Sequence, residues 1–217
     1  MKSGGGLKRF KRLTTTARFV TWINILSTTV FCAFLIVLIV RPFSDNLQMW
    51  YEDNMATVAM GVGIAAVNQV VFFVISGFIN LLWMSRALKN ARDMSSAVRT
   101  HSFEFVSSFF IPILSLYRPF YIMQAINRAS QAGELELGAP LILWWWICNL
   151  GAGVLALALV GLVTLGADGM SATYSLMTVA YMGTLLPMLL ASIFFTKVMG
   201  HICRLQLATD TEIVEQF

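Results

Sequence analysis

The sequence predicts an all-α membrane protein, a polytopic bundle of four transmembrane helices with a proline-broken hairpin and amphipathic cytoplasmic helices. Three observations lead to this prediction. Hydrophobic residues make up 58% of the 217 residues and charged residues only 12%, whereas a soluble domain has roughly 45–50% and about 25%. Four apolar segments are long enough to span a bilayer, and the basic residues collect on one side of them. This composition excludes an ordinary soluble enzyme, a disordered chain and a free nucleic-acid-binding protein.

The predicted spans are apolar runs of 22–26 residues, each sufficient for a hydrocarbon core of ~30 Å. They cover residues 19–40, 58–83, 141–165 and 174–199. A basic N-terminal segment, residues 1–18, precedes the first span. No small-residue cleavage site follows that span, so we interpret it as a retained signal anchor. We expect residues 19–206 to form a single membrane domain, followed by a polar tail over residues 207–217.

Tryptophan and tyrosine side chains stand near the ends of these spans. Rings of this kind commonly settle at the level of the lipid headgroups. The residues concerned are Trp22, Trp83, Trp144, Trp145, Trp146 and Tyr174. We therefore expect these rings to mark the membrane interfaces.

A fifth apolar run, residues 103–117, has only 15 residues and contains Pro112. Proline removes a helical hydrogen bond, and the Arg118-Pro119 junction disfavours helix at the residue before the second proline. A run this short is more often re-entrant, interfacial or buried in protein than membrane-spanning. The pattern therefore predicts a broken hairpin over residues 103–132 that does not cross the membrane.

The distribution of basic residues supports four spans rather than five. With four spans, 14 of the 15 Lys and Arg residues share one side and Arg41 stands alone on the other. If the fifth run crossed, the division would be 10 against 5. Because basic residues concentrate in cytoplasmic loops, the four-span arrangement predicts that both termini are cytoplasmic.

Two polar helices are expected between the second and third spans. The second span is predicted to continue as a basic helix, with Arg86, Lys89, Asn90 and Asp93 on one face and Met84, Leu88 and Ala91 on the other. Residues 120–132 form the second helix. Its polar stripe comprises Gln124, Asn127, Arg128 and Gln131, and its apolar stripe comprises Ile122, Ala125, Ile126 and Ala129. Such a helix lies flat at the interface or packs under the bundle.

Several of these residues occur in a familiar order. The motif begins with Trp83, Arg86 and Asn90 and continues with Phe110-Ile111-Pro112-Ile113, Arg118-Pro119, Ala129-Ser130, Trp144-Trp145-Trp146 and Ile202-x-x-x-Gln206. In this order and spacing, about residues 58–206 resemble the bacterial multi-pass membrane family called domain of unknown function 4328. The resemblance implies a membrane topology and implies no activity.

The candidate functional site lies on the predicted cytoplasmic side. A carboxylate near a membrane interface needs a basic neighbour or water, so Glu104 is expected to pair with Arg118 or with Arg86. That pair would either dock the hairpin or belong to a surface that binds a lipid headgroup or a partner protein; catalysis there is a third reading. The candidate residues are Arg86, Asn90, Glu104, Pro112, Arg118 and Arg128.

Two further polar residues, Asn68 and Gln69, lie near the middle of the second span. We expect them to form an interhelical hydrogen bond, with contact to a polar solute or a lipid headgroup as the alternative. Acidic residues are absent from the interiors of the four predicted spans. Ion-coupled transporters usually place such residues inside the membrane, so this pattern argues against that class.

The sequence contains no recognised catalytic motif, and its three cysteines and two histidines are not spaced as metal ligands. We therefore expect no catalytic, cofactor-binding or metal-binding residues. The leading hypothesis is a non-catalytic accessory or scaffold protein of the bacterial cytoplasmic membrane. Its expected partners are membrane lipids, anionic headgroups among them, or another membrane protein or a second copy, and not nucleic acid. A small-solute transporter or channel, which could be oligomeric, is the alternative, and an intramembrane enzyme is the third.

Overall fold

The computed structural model describes residues 5–40, 45–98, 100–109, 111–131, 138–165 and 170–215, which are helical apart from short turns and contain no strand. Eight helices occur in these residues. They are α1 (Gly5–Val40), α2 (Asp45–Asp53), α3 (Met55–Met94), α4 (Ser102–Ser107), α5 (Pro112–Ser115), α6 (Arg118–Ser130), α7 (Gly138–Leu165) and α8 (Met170–Glu215). The predicted all-α fold is thereby confirmed.

Four of these helices, α1, α3, α7 and α8, are long and apolar enough to cross a membrane. Each contains one predicted span and continues beyond it. Helix α1 begins at Gly5, so most of the basic N-terminal segment is helical, and α8 continues through the predicted tail to Glu215. With 46 residues, α8 is about 69 Å long at 1.5 Å per residue, more than twice the ~30 Å hydrocarbon core.

The chain forms two compact units. Unit 1 comprises Met1–Trp22, Ile75–Ile147 and Ala191–Phe217, and unit 2 comprises Ile23–Val74 and Cys148–Leu190. Each of the four long helices contributes one part to each unit. Of the 15 Lys and Arg residues, 14 belong to unit 1. Packing alone defines these boundaries, yet it separates the basic residues in the same 14-to-1 ratio as the four-span topology.

An aromatic cluster forms the centre of unit 1. The Trp83 ring is fully buried, stacks on Phe10 with ring centroids 6.2 Å apart, and meets the edge of Phe195 at 5.7 Å. Its Nε1 donates a hydrogen bond to Thr14 Oγ1 at 2.9 Å. Phe195 also lies 5.2 Å from Trp145. The cluster therefore joins the parts of α1, α3, α7 and α8 that belong to unit 1.

The span-end aromatic rings differ in how far they are exposed. Trp83, Trp145 and Trp146 are buried in protein, whereas Trp22 and Trp144 are about half exposed. Successive side chains turn by about 100° around a helix, so three consecutive tryptophans cannot all face outward. The side chain of Tyr174 lies outside the described residues.

Unit 2 has a smaller apolar core between α1, α3 and α8. It is built from Phe31, Cys32 and Leu35 of α1 and Leu185 of α8, with Ala65 and Ala66 of α3 packed against them. Small side chains on α3 permit close helix contact, and a Cβ on neighbouring Gly61 would lie 4.0 Å from the Phe34 ring, an ordinary van der Waals distance.

The fifth apolar run contains two short helices rather than one continuous helix. Helix α4 ends at Ser107 and α5 begins with Pro112, whose missing N–H is tolerated in a first helical turn. Helix α6 then buries Ile122 and Ile126. At the basic end of α3, Met84, Leu88 and Ala91 are buried while Lys89 and Asp93 are exposed.

Asn127 departs from the predicted polar stripe of α6, because it is only 2% exposed. The start of α7 covers it. A Cβ at Gly138 would overlap Asn127 Oδ1 and would lie 2.8 Å from His201 Cδ2 of α8. The absence of a side chain at Gly138 is therefore what lets α7 begin against α6 and α8.

Candidate functional site

Glu104 and Arg118 form an ion pair between α4 and α6. Arg118 Nη2 donates a hydrogen bond to Glu104 Oε2 at 3.1 Å, with side chains 33% and 47% exposed respectively. Of the two predicted partners for Glu104, the structure selects Arg118 and not Arg86. The pair joins α4 to α6 across the turn that contains α5, so it is a contact within the hairpin.

We expect this ion pair to contribute little to stability. Because both side chains are solvated, Glu104→Gln should lower the free energy of unfolding by about 0.2–1 kcal/mol. A double-mutant cycle with Arg118→Gln, read by detergent-induced unfolding, should give a coupling energy in that range. A coupling above about 2 kcal/mol would contradict the exposed geometry and would indicate a buried network.

A second contact holds the hairpin from the side of α7. Trp146 Nε1 donates a hydrogen bond to the carbonyl oxygen of Leu116 at 3.1 Å, in the turn between α5 and α6. The broken backbone around Pro112 is also bridged locally, because Ile111 N–H donates to the Ser107 carbonyl at 3.2 Å. Protein groups thus satisfy part of this irregular backbone.

The candidate residue Asn90 lies in a polar network inside unit 1. The side chain of Gln206 is fully buried, and its Oε1 accepts a hydrogen bond from Asn90 Nδ2 at 3.1 Å. Its Nε2 donates to the Ala87 carbonyl oxygen at 3.1 Å and to Ser130 Oγ at 3.0 Å. One amide from α8 therefore joins α3 and α6. The Asn90 side chain takes part in this network as a hydrogen-bond donor to Gln206.

The remaining candidate cations are Arg86 and Arg128. Arg86 is half-buried, and one of its guanidinium nitrogens lies 3.6 Å from the position of a Cβ on Gly6 of α1. Arg128 is exposed on α6.

The sequence analysis missed a cluster of three basic residues that lies outside its candidate set. Lys197 and Arg204 are exposed on α8, and their spacing from Gly200 places all three on one face. Arg18 of α1 covers this face, because its guanidinium carbon lies 3.6 Å from the position of a Cβ on Gly200. We call Arg18, Lys197 and Arg204 the α1–α8 basic face.

The basic face has an unbalanced charge. Within the described part of the chain, none of its three side chains forms an ion pair. Arg18 immediately precedes the first predicted span and Lys197 lies near the end of the fourth, so the face stands where two spans end. The seven-residue spacing of Lys197 and Arg204 was visible in the sequence, but the approach of Arg18 was not. Three unpaired cations at that level can bind an anionic group, since guanidinium groups grip phosphate in a bidentate manner.

The intramembrane polar pair lies in unit 2 and contacts α1. Gln69 is buried; its Nε2 donates to Thr28 Oγ1 at 2.7 Å and its Oε1 accepts from Ser27 Oγ at 3.1 Å. Asn68 Nδ2 also donates to Ser27 Oγ, at 3.2 Å. The expected interhelical hydrogen bonds are therefore present.

Four helices with the length and apolarity needed to cross a bilayer define a multi-pass helical membrane protein. Among the described residues, no group of three His, Cys, Asp or Glu side chains is placed to hold a metal ion. The chain belongs to the family described as Domain of unknown function (DUF4328), whose model matches residues 47–200. The resemblance found in the sequence is thereby confirmed. No curated protein and no solved structure matches the chain.

Proposed function

We propose that this protein is a non-catalytic accessory or scaffold protein of a bacterial cytoplasmic membrane, and that unit 1 binds anionic lipid headgroups on the cytoplasmic side. The observation that carries the proposal is the α1–α8 basic face. Its three cations lie at the ends of two predicted spans, at the depth where lipid phosphates stand. A basic residue near such a surface contributes about 1 kcal/mol to the binding of anionic lipid.

The orientation rests on charge. Unit 1 carries 14 of the 15 basic residues, and cytoplasmic segments of membrane proteins are enriched in Lys and Arg. Both ends of the chain belong to unit 1, so this argument puts both termini in the cytoplasm. The anionic lipids of the cytoplasmic leaflet would then lie next to the α1–α8 basic face.

The packing of unit 1 supports a platform rather than a moving part. Buried aromatic rings and the Gln206 network fix the helices that present Arg18, Lys197 and Arg204. In unit 2, Asn68 and Gln69 form hydrogen bonds to α1. These bonds argue against a path for a polar solute along the two residues. Transport therefore remains the weaker alternative.

The test compares two triple substitutions that remove the same charges. One changes the basic face: Arg18→Gln, Lys197→Gln and Arg204→Gln. The control changes one lysine and two arginines that are exposed on α1: Lys8→Gln, Arg9→Gln and Arg12→Gln. Purified protein in mild detergent is titrated with phosphatidylglycerol or phosphatidylcholine, and bound lipid is counted by native mass spectrometry.

We expect the basic-face variant to bind phosphatidylglycerol between about tenfold and a hundredfold more weakly. The upper value corresponds to the loss of three contributions of about 1 kcal/mol each. The control should change binding by less than about twofold, and phosphatidylcholine should bind weakly to every variant. If both triple variants lose the same affinity for phosphatidylglycerol, the binding is general electrostatic attraction and is not specific to the basic face. Unchanged binding in both would overturn the headgroup function and favour a protein partner.

A further inference from the structure

Helix α3 is the least covered of the four membrane-spanning helices. Only 11% of the most apolar 18-residue stretch of α3 is buried, compared with 39% for the corresponding stretches of α1 and α8. Asn68 lies on this helix ten residues into the predicted span, which is about 15 Å at 1.5 Å per residue. Its side chain is exposed. An amide is therefore displayed at a depth where the surrounding medium is hydrocarbon.

The hydrogen bonds of Asn68 are incomplete. Its Nδ2 donates to Ser27 Oγ, and its second N–H and its carbonyl oxygen have no partner among the residues that the structure describes. Acyl chains can neither donate nor accept a hydrogen bond. A polar group left in that environment is destabilising, so a second polar surface is needed to satisfy it.

The neighbours of Asn68 follow a helix-pairing register. Ile64, Asn68 and Val71 are separated by four and three residues along α3. Ile64 and Val71 are 65% and 48% exposed. A 4-3 spacing of aliphatic residues is the seam of a left-handed helix pair, and a single asparagine within such a seam fixes register and partner number.

An asparagine carboxamide is complementary to itself, because it holds both donors and acceptors. Around a twofold axis, the two free groups of one Asn68 would meet those of the same residue in another copy. We propose that the chain forms a dimer in the membrane through this face of α3, in which the two Asn68 carboxamides hydrogen-bond to each other. The interaction is separate from headgroup binding at the basic face.

The test measures self-association in lipid. Full-length protein with a C-terminal fluorescent fusion is reconstituted into phosphatidylcholine vesicles over a series of protein-to-lipid ratios, and photobleaching steps are counted. The chain should be dimeric at high ratios. Asn68→Leu, which keeps the branched shape and the number of side-chain heavy atoms, should weaken the dimer by roughly three- to thirtyfold, the range that an interhelical amide bond gives in a membrane.

Two controls make the result specific. Ser27→Ala removes the hydrogen bond within the chain and should leave the dimer within twofold. Val67→Asn in the Asn68→Leu background moves the amide by about 100° around the helix and should not restore dimers. The basic-face triple variant should dimerise normally, so failure of one proposal is distinguishable from failure of the other. Monomers at every ratio, an Asn68→Leu dimer within twofold of the original, or recovery by the relocated amide would overturn the proposal.

Discussion

Replacing Trp83 with alanine should destabilise the protein by about 3–5 kcal/mol, the usual cost of truncating a buried tryptophan. The ring is fully buried between Phe10 and Phe195, and the substitution would leave a cavity among helices that cannot fully close around it. It would also leave Thr14 Oγ1 without its Nε1 donor. The measurement is the free energy of unfolding in mixed micelles as the mole fraction of sodium dodecyl sulfate rises.

Trp144→Ala provides the matched control. This ring is 53% exposed and stacks on Phe194 with centroids 6.5 Å apart, so its loss should cost about 1–2 kcal/mol. Trp83→Phe should fall between the two, because it keeps a ring in the cluster but cannot donate to Thr14. If both alanine variants unfold at the same detergent fraction, the aromatic cluster is not the main support of unit 1.

Replacing Gln206 with methionine should lower the free energy of unfolding by about 2–3 kcal/mol. The side-chain volume is nearly preserved, so the loss comes from polar groups deprived of partners rather than from a cavity. Asn90 Nδ2 would lose its acceptor, and the Ala87 carbonyl and Ser130 Oγ would lose a donor. Each buried group left unsatisfied costs about 1–3 kcal/mol, and Ser130 retains its bond to Ile126.

Gln124→Met on α6 is the control for this substitution, because Gln124 is half-buried and makes no hydrogen bond within the described segments. It should change stability by less than about 0.5 kcal/mol. Adding Asn90→Leu to Gln206→Met should recover part of the loss, since removing both partners avoids an orphaned amide. Strictly additive destabilisation in that double variant would contradict a direct Asn90–Gln206 interaction.

The sequence predicted the helices of this fold well, because crossing a bilayer demands a length and an apolarity that hydropathy measures directly. For Glu104 it left two partners open, Arg118 and Arg86, and the structure shows Arg118. The faces of the helices were harder. Helix α3 is apolar on all sides within its span, so periodicity could not reveal that Asn68 is exposed while Gln69 is buried.

The long-range pairings could not be predicted, for a physical reason. Gln206 bonds to groups 119 and 76 residues earlier in the chain, and no local pattern encodes which helices become neighbours. Arg18 illustrates the same limit. In the sequence it is one of several basic residues before the first span, which predict only the orientation of the chain in the membrane. Only the proximity of α1 to Gly200 shows that it completes a cluster on α8.

The chain order of these contacts sets the order in which the protein can be assembled during synthesis. The carbonyl of Leu116 leaves the ribosome 30 residues before Trp146, its hydrogen-bond donor, and Ala87 precedes Gln206 by 119 residues. The hydrogen bonds that Gln206 makes to α3 and α6 can therefore form only after the last helix has been synthesised. Contacts so distant in sequence form slowly, so unit 1 is the last part of the protein to be completed.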